Sequence, residues 1–215
     1  EQEGMAYFKT HYYGGIKKYQ WTAIPLELRG VVCVCKNGKM IKVKVCIGSE
    51  PDDPKFVITD LLPHLASKQM QEKMLDGIKA ENMNILIGSK PSETVDEKCS
   101  EKIKLAVMEY LYHKYGMTEA DFLSAELSCV PAFNSCDIGF DRTMVGAYGH
   151  DDRVCAYPAA TALMTLQETP KTTSVCLLVD KEEIGSEGVT GMQSQFFDTF
   201  LADLCRAQDV YPEVC

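Results

Sequence analysis

The sequence contains neither a long apolar run nor a cluster of basic residues. Its hydrophobic stretches fall well short of the roughly 20 residues that a membrane-spanning helix needs. Its 22 lysines and arginines are outnumbered by 31 acidic residues, giving a net charge of −9. A nucleic-acid interface normally shows the opposite charge. These absences favour a globular protein with no nucleic-acid and no membrane partner.

The ten cysteines include no C-x-x-C pair, which argues against a zinc ribbon or a redox motif. Several lie in apolar runs, such as VVCVC at 31–35 and SVCLLV at 174–179. Free thiols in such runs behave as small hydrophobic side chains in a reducing compartment. We therefore predict buried free thiols and a cytoplasmic location.

The first two thirds of the chain show a mixed pattern of strands and helices. The Asn-Gly pair at 37–38 lies between apolar stretches and predicts a hairpin turn. Apolar residues at near-helical spacing predict a core-facing helix over 64–81. A second helix is predicted over 97–115, where Gly116 ends it, and Thr118 with Asp121 resembles a capping box.

After residue 145 the pattern changes to strand, helix, strand, helix. The five apolar residues 175–179 are typical of a strand that is covered on both faces. A βαβα order implies a parallel sheet with right-handed crossovers. The sequence therefore predicts an α/β architecture for this part of the chain.

Acidic residues follow both predicted strands of that part. Asp151 and Asp152 come just after the first strand, and Glu182 and Glu183 come just after the second. Adjacent parallel strands would place both pairs at one edge of the sheet, where ligands of such sheets bind. Divalent cations such as zinc, manganese or cobalt would relieve the repulsion between these carboxylates.

A simpler interpretation exists for each acidic pair. The aspartates of DDR at 151–153 suit the start of a helix, because they favour its dipole. The KEE sequence at 181–183 suits a solvated loop. Spacing alone leaves the metal site and these local roles open.

Five segments with distinctive sequences occur along the chain. They are KTHYYGGIKKYQW (9–21), ITDLLPHLA (58–66), DFLSAELSCVPA (121–132), GHDDRVCAY (149–157) and LLVDKEEIGS (177–186). Together, and in this order, they resemble the aspartyl aminopeptidase / aminopeptidase I family of zinc metallopeptidases. The resemblance implies an α/β fold class with a parallel-sheet α/β/α catalytic domain in residues 1–17 and 146–215. A mixed β/α dimerisation domain would be inserted at 18–145.

The resemblance also implies roles for single residues. Asp151 matches a carboxylate that bridges two divalent metal ions, Glu183 matches a ligand of one ion, and Glu182 matches the general base. Zinc is the first candidate for both ions, with manganese or cobalt as alternatives. His64 resembles a histidine that reaches into the active site of a partner subunit. A histidine at a helix start with a local hydrogen bond is the alternative for His64.

The function implied by the resemblance is removal of N-terminal residues, acidic ones by the family's name, from peptides. The family assembles as dimers and further as a dodecamer with an enclosed chamber. It also uses an upstream His-x-Asp, a downstream aspartate and a distal histidine, which residues 1–215 do not supply. We therefore expect a fragment that binds metal weakly alone. An oligomerisation fragment without complete catalytic machinery and a different two-metal hydrolase, such as an amidase, are the alternatives.

Overall fold

The computed structural model describes residues 2–12, 14–93 and 99–211. The strands in these ranges are β1 (Ala6–Phe8), β2 (Leu26–Lys36), β3 (Lys39–Ile47), β4 (Val57–Ile58), β5 (Ile85–Gly88), β6 (Glu126–Pro131), β7 (Cys136–Ile138) and β8 (Met144–Gly146). The α-helices are α1 (Lys102–Tyr115), α2 (His150–Met164) and α3 (Phe196–Ala207). None of these three helices is both long and apolar enough to cross a membrane.

The chain divides into two compact units. The first comprises residues 1–12 and 17–148, and the second comprises residues 13–16 and 149–215. The strands β1 to β8 and the helix α1 belong to the first unit, whereas α2 and α3 belong to the second. Apolar burial follows the same division, since Cys205 is the only buried apolar side chain among the described residues of the second unit.

The central element of the first unit is a three-stranded antiparallel sheet in the order β3–β2–β6. Its strands β2 and β3 form a hairpin in which Lys36 pairs with Lys39. The turn between them has φ +53° at Asn37 and +73° at Gly38. Asparagine and glycine are the residues that adopt this left-handed conformation at least cost. The predicted hairpin is confirmed.

One face of this sheet packs against α1 and forms the hydrophobic core of the first unit. The buried cluster consists of Leu28, Val32, Val34, Val45, Ile47, Leu111 and Met117. Two of these residues are completely inaccessible to solvent, Val32 on β2 and Met117 after α1. Each fully buried side chain of this kind contributes about 1.5–3 kcal/mol, so this cluster is the main source of stability in the unit.

Local sequence signals set the end of α1 and the start of the next turn. Gly116 adopts φ +74°, and its N–H donates to the carbonyl of Tyr112 at 2.8 Å. Thr118 and Asp121 form the capping box of a 3-10 helix at Glu119–Ser124. Both predictions are confirmed. The predicted start of the helix is wrong over residues 99–101, which are not helical, because α1 begins at Lys102. Residues 97 and 98 lie outside the described residues.

Two hydroxyl groups cover backbone groups of the main sheet. The Tyr115 hydroxyl donates to the carbonyl of Cys46 at 2.7 Å and accepts from its N–H at 3.2 Å. The Ser124 hydroxyl likewise donates to the carbonyl of Cys33 at 3.1 Å and accepts from its N–H at 3.2 Å. Cys46 lies in β3, an outer strand of the sheet, and Cys33 lies in β2 beyond the last residue that pairs with β6. Each hydroxyl therefore satisfies backbone groups that no neighbouring strand reaches.

An ion pair joins the end of α1 to the loop that follows β3. Lys114 Nζ lies 3.0 Å from Asp53 Oδ1 and also donates to the Tyr110 hydroxyl at 3.2 Å. The other carboxylate oxygen of Asp53 accepts the N–H groups of Gly48 and Glu50 at 3.1 and 3.4 Å. The hydrogen bond from Lys114 is the main reason that the pKa of Asp53 is lowered, and its counterpart raises the pKa of Lys114.

The predicted parallel α/β/α sheet is wrong for this chain. The described residues contain only antiparallel strand pairs, and the second unit has none. The predicted strand at 175–179 is not a strand, and Val175, Leu177, Leu178 and Val179 are 38–60% exposed. A buried parallel strand needs neighbours on both edges and cover on both faces. These residues have neither here.

The predicted helix over 64–81 is also wrong. Short 3-10 helices at Gln69–Gln71 and Ala80–Asn82 stand in its place, among turns. Leu65, Met70 and Met74 of the predicted core-facing stripe are 64–73% exposed. Helical spacing forms a helix in a protein only when its apolar face finds a surface to pack against, and this stripe has none in the first unit.

The cysteine prediction is correct for the state of most thiols and wrong for their burial. Eight free cysteines lie in the described ranges, all of them partly or fully exposed, namely Cys33, Cys35, Cys46, Cys99, Cys129, Cys136, Cys155 and Cys176. Burial raises the pKa of the Cys129 thiol to about 12, with help from the charge of Glu27. Cys205 is disulfide-bonded, contrary to the prediction.

Replacing Gly30 with alanine tests the packing of the main sheet. Gly30 lies in β2 between β3 and β6, and an added Cβ would meet the Glu126 carbonyl oxygen at 1.9 Å. We expect Gly30→Ala to lower the free energy of unfolding by about 3 kcal/mol or more in a urea titration. The control is Gly38→Ala, which has a positive φ but open space around it and should cost about 1–2 kcal/mol. Equal losses for both variants would contradict the close approach of β6 to Gly30.

The Asp53–Lys114 pair makes a pH-dependent contribution to stability. The pKa of Asp53 is lowered from 3.8, so its contribution is present above that pH and lost as the pH falls through the lowered pKa. The pKa of Lys114 is raised above 10.5, so its contribution persists at neutral pH and is lost only in strong alkali. We expect Lys114→Met to lower the melting temperature at pH 7 but much less at pH 2. The exposed pair Lys90–Glu93 supplies the control, Lys90→Met, for which no change is expected.

Candidate active site

The first acidic motif stands at the start of α2, where the backbone is not helical. Gly149 is the N-cap with φ +84°. Asp151 (φ −87°, ψ 108°) and Asp152 (φ −119°, ψ 37°) depart from helical geometry, and the peptide bond between them is cis. Both aspartates are exposed. Regular helical geometry therefore begins only after Asp152, and the two aspartates stand immediately before it.

The two aspartates of this motif differ in their surroundings. A hydrogen bond between the Cys155 thiol and the Asp152 carboxylate, together with the negative charge of Asp152, raises the pKa of Cys155. The Arg153 guanidinium donates back to the Gly149 carbonyl at 3.1 Å. Asp152 and Arg153 therefore support the helix start, and the ligand role of Asp151 stays a prediction.

The second acidic motif forms a compact turn. Glu182 and Glu183 lie in a 3-10 helix, Glu182–Ile184, and both are exposed. Left-handed residues stand at its two ends, Lys181 with φ +69° and Gly185 with φ +81°. The Ser186 N–H donates to the Lys181 carbonyl at 2.8 Å and closes the turn. The turn presents two neighbouring carboxylates on one short piece of backbone.

Asp180 anchors the start of this turn. Its carboxylate accepts the backbone N–H of Lys181 at 2.8 Å and the Thr190 hydroxyl at 3.3 Å. The Lys181 ammonium lies 3.2 Å from the same carboxylate. Partial burial works to raise the pKa of Asp180, but the hydrogen bonds and charge of Lys181 outweigh it, and the pKa is lowered. Asp180 therefore stays ionised at neutral pH and stabilises the start of the turn.

Two further residues contact the turn and were not predicted from the sequence. The side-chain amide of Gln193 donates to the carbonyl of Gly185. Gly14 lies so close that an added Cβ would be 3.1 Å from the Glu183 Cβ. The Gly-Gly pair at 14–15 inside a family motif was a usable signal for the second contact. No sequence signal indicated the contact of Gln193, which is a single glutamine in a polar stretch.

His64 lies in the first unit, in a turn at residues 63–65, and is exposed. The Leu65 and Ala66 N–H groups both donate to the Leu62 carbonyl at 2.9 Å and hold this turn. The helix that His64 was expected to begin does not form. Its predicted role in a partner subunit stays a prediction.

The carboxylates present fit a divalent metal in kind but not in number. Asp151 and Glu183 carry the oxygen donors that such ions accept. No group of three or more histidine, cysteine, aspartate or glutamate side chains comes together among the residues that the structure describes. A catalytic zinc ion takes about three protein ligands. The described chain therefore supplies at most part of a metal site.

Comparison with known proteins decides the family. The profile of the aminopeptidase I zinc metalloproteases (M18) matches residues 1–213, almost the whole chain. The chain belongs to the M18 family. The match includes both acidic motifs, and it confirms the resemblance seen in the sequence.

Curated M18 relatives are similar over nearly all of this chain. A probable M18 family aminopeptidase 1 from Clostridium acetobutylicum is 47% identical over 214 residues, covering 100% of this chain and 45% of that protein. Its counterpart from Borrelia garinii subsp. bavariensis is 47% identical over 205 residues, covering 95% and 43%. The chain thus spans less than half the length of the curated relatives it matches.

Solved M18 structures share the course of the backbone. The M18 aminopeptidase of Thermotoga maritima superposes with a TM-score of 0.84 at 43% identity, over 97% of this chain and 44% of that chain. A distant structure, the mApe1 dodecamer of S. cerevisiae, has a TM-score of 0.67 at 19% identity, over 96% and 44%. At that identity the second likeness shows the fold alone.

The small donor set predicts that zinc does little for the stability of the 215-residue chain. A ligand that binds only the folded state raises stability in proportion to ln(1 + [L]/Kd). We therefore expect the same melting temperature, within about 1 °C, with EDTA and with micromolar zinc. The control is the double variant Asp151→Asn/Glu183→Gln, which lacks both carboxylates but keeps every cysteine. A change in melting temperature that zinc still causes in this variant arises at the cysteines. A zinc-induced rise that this variant abolishes would contradict the incomplete site.

Proposed function

We propose that this chain is the part of a metal-dependent aminopeptidase that carries Asp151, Glu182 and Glu183, and that the enzyme removes N-terminal residues from peptides. The observation that carries the proposal is the M18 match over residues 1–213, which contains both acidic motifs in order. We assign the activity to a protein of the relatives' length. There, further donors outside the described residues would complete the metal site.

In this proposal each carboxylate has one task. Asp151 and Glu183 would hold the divalent ions, Asp151 as a shared ligand and Glu183 as a ligand of one ion, with zinc as the first candidate and manganese or cobalt as alternatives. Zinc, when bound, polarises the scissile carbonyl and makes water more acidic. Glu182 accepts a proton from the attacking water and passes it to the leaving amine. The exposure of Glu182 on its turn leaves its carboxylate accessible to a peptide.

The substrate class follows from the same proposal. An aminopeptidase acts on peptides with a free N-terminal amine, and the aspartyl aminopeptidases of the family suggest an acidic first residue. We also propose a cytoplasmic enzyme. Eight free cysteines against one disulfide-bonded cysteine, Cys205, support this location, because thiols persist in reducing compartments.

We further propose self-association, as a dimer through residues 18–145 and then as a dodecamer. The segment around His64 supports this, since Leu61, Leu62 and Leu65 are 56–64% exposed and large exposed apolar groups mark interaction surfaces. The S. cerevisiae relative is a dodecamer. In such an assembly His64 would assist substrate binding in a partner subunit.

An oligomerisation fragment with incomplete catalytic machinery is the second candidate. The observation that favours it is the lack of a metal-binding group of three or more side chains in the described ranges. Under this alternative the chain contributes surfaces to an assembly, and its carboxylates serve only the turn and the helix start.

The variant Glu182→Gln in the full-length gene product separates the two candidates. It keeps the size of the side chain but removes the base, so we expect kcat on aminoacyl-nitroanilide substrates to fall at least about 100-fold. Zinc content should stay at the wild-type level by atomic absorption. The matched control is Glu187→Gln, an exposed glutamate in the same loop, which should retain activity.

Equal turnover by wild type and Glu182→Gln would contradict the proposal. Turnover that survives removal of metal by a chelator would contradict it as well. Either result would leave the oligomerisation fragment as the better description of the chain.

A further inference from the structure

The turn that carries Glu182 and Glu183 has little internal support. Its 3-10 helix is only three residues long, and helices of this length are marginal without outside contacts. Lys181 and Ser186, which flank it, both have positive φ angles, +69° and +61°. These strained positions persist only where neighbouring groups hold them.

Gln193 holds the C-terminal end of this turn with two hydrogen bonds. Its side-chain amide donates to the carbonyl of Gly185, and its backbone N–H donates to the carbonyl of Ser186 at 3.2 Å. The carbonyls at the end of a helix lack partners within the helix. One residue thus satisfies two consecutive carbonyls at the point where the chain leaves the two glutamates.

Two other contacts hold the rest of the turn. The Asp180 N–H donates to the Thr190 carbonyl at 3.2 Å, and the Thr190 hydroxyl returns to the Asp180 carboxylate. Residues 190–193 therefore make hydrogen bonds to both ends of the turn. Gly14 covers Glu183, and its missing side chain is what allows this approach, with 3.7 Å between an added Cβ and the Glu183 carbonyl oxygen.

We propose that Gln193 is a positioning residue for the Glu182 and Glu183 carboxylates, acting through the hydrogen bond from its amide to the Gly185 carbonyl. This inference rests on the proposed function. Without the amide donor, the Gly185 carbonyl loses its fixed position, and the turn samples other orientations. The carboxylate of Glu182 then spends less time aligned for proton transfer, while substrate binding by the rest of the enzyme is unchanged.

The test compares Gln193→Met with wild type in the full-length, zinc-loaded enzyme. Methionine has a similar length and shape but no donor. We expect kcat to fall about 10-fold, the loss of one hydrogen bond, with KM within about 2-fold and the melting temperature and zinc content retained. Hydrogen–deuterium exchange of residues 182–186 should become about 10-fold faster, a readout independent of activity.

Two further variants make the result decisive. Gln195→Met, two residues along the chain, should behave as wild type, because Gln195 contributes its backbone carbonyl to α3. Gln193→Lys keeps a donor of similar reach and should recover most of the lost kcat and exchange protection. A Gln193→Met enzyme with wild-type kcat overturns the proposal, and so does a loss that appears in KM or in folding.

Failure of this inference differs from failure of the proposed function. If Glu182→Gln abolishes turnover while Gln193→Met does not change it, only the positioning role of Gln193 is wrong. If Glu182→Gln retains turnover, the assignment of the base itself fails. Unchanged exchange of residues 182–186 in Gln193→Met overturns the positioning role in either case.

Discussion

The packing of α1 against one face of the β3–β2–β6 sheet is the interaction on which the first unit depends. Val32 and Met117 are completely buried there, and Leu111 brings the helix onto the sheet. Hydrophobic burial is the main favourable term in folding, and the other contacts of this unit are small beside it. The Asp53–Lys114 ion pair and the Gly116 cap fix where α1 lies and ends, but they act on a helix that the core already holds.

The second unit shows what happens where such burial is missing. Its apolar segment at 175–179 and the aromatic residue Phe196 are largely exposed, so its arrangement rests on hydrogen bonds of short range. The hydrogen bonds of Asp180 and Gln193 with the turn at 181–186 are the clearest example of such local contacts. Hydrogen bonds in solvent contribute only about 0.5–1.5 kcal/mol each, so several of them stabilise the turn only modestly.

Elements whose cause lies within a few residues could be predicted from the sequence, and elements that need distant partners could not. The Asn37–Gly38 turn, the Gly116 cap and the capping box at Thr118 follow from backbone preferences and local hydrogen bonds. The helix over 64–81 and the strand at 175–179 need a surface or neighbouring strands, which a periodic pattern cannot guarantee. The acidic motifs identified Asp151, Glu182 and Glu183 as candidates through family resemblance. The side-chain amide of Gln193 contacts the carbonyl of Gly185, eight residues earlier in the chain, and no sequence motif predicts this contact.

The hydroxyl groups of Tyr115 and Ser124 have a consequence for the colloidal behaviour of the chain. An open strand edge is a template on which another copy can add a strand and begin a fibril. Tyr115 occupies both backbone groups of Cys46 on β3, and Ser124 occupies those of Cys33 on β2. The remaining length of β3 carries Lys42 and Lys44, whose like charges oppose the docking of an identical edge. These two hydroxyls and two lysines thus oppose the addition of a further strand along β3 and beside the end of β2 that β6 does not reach.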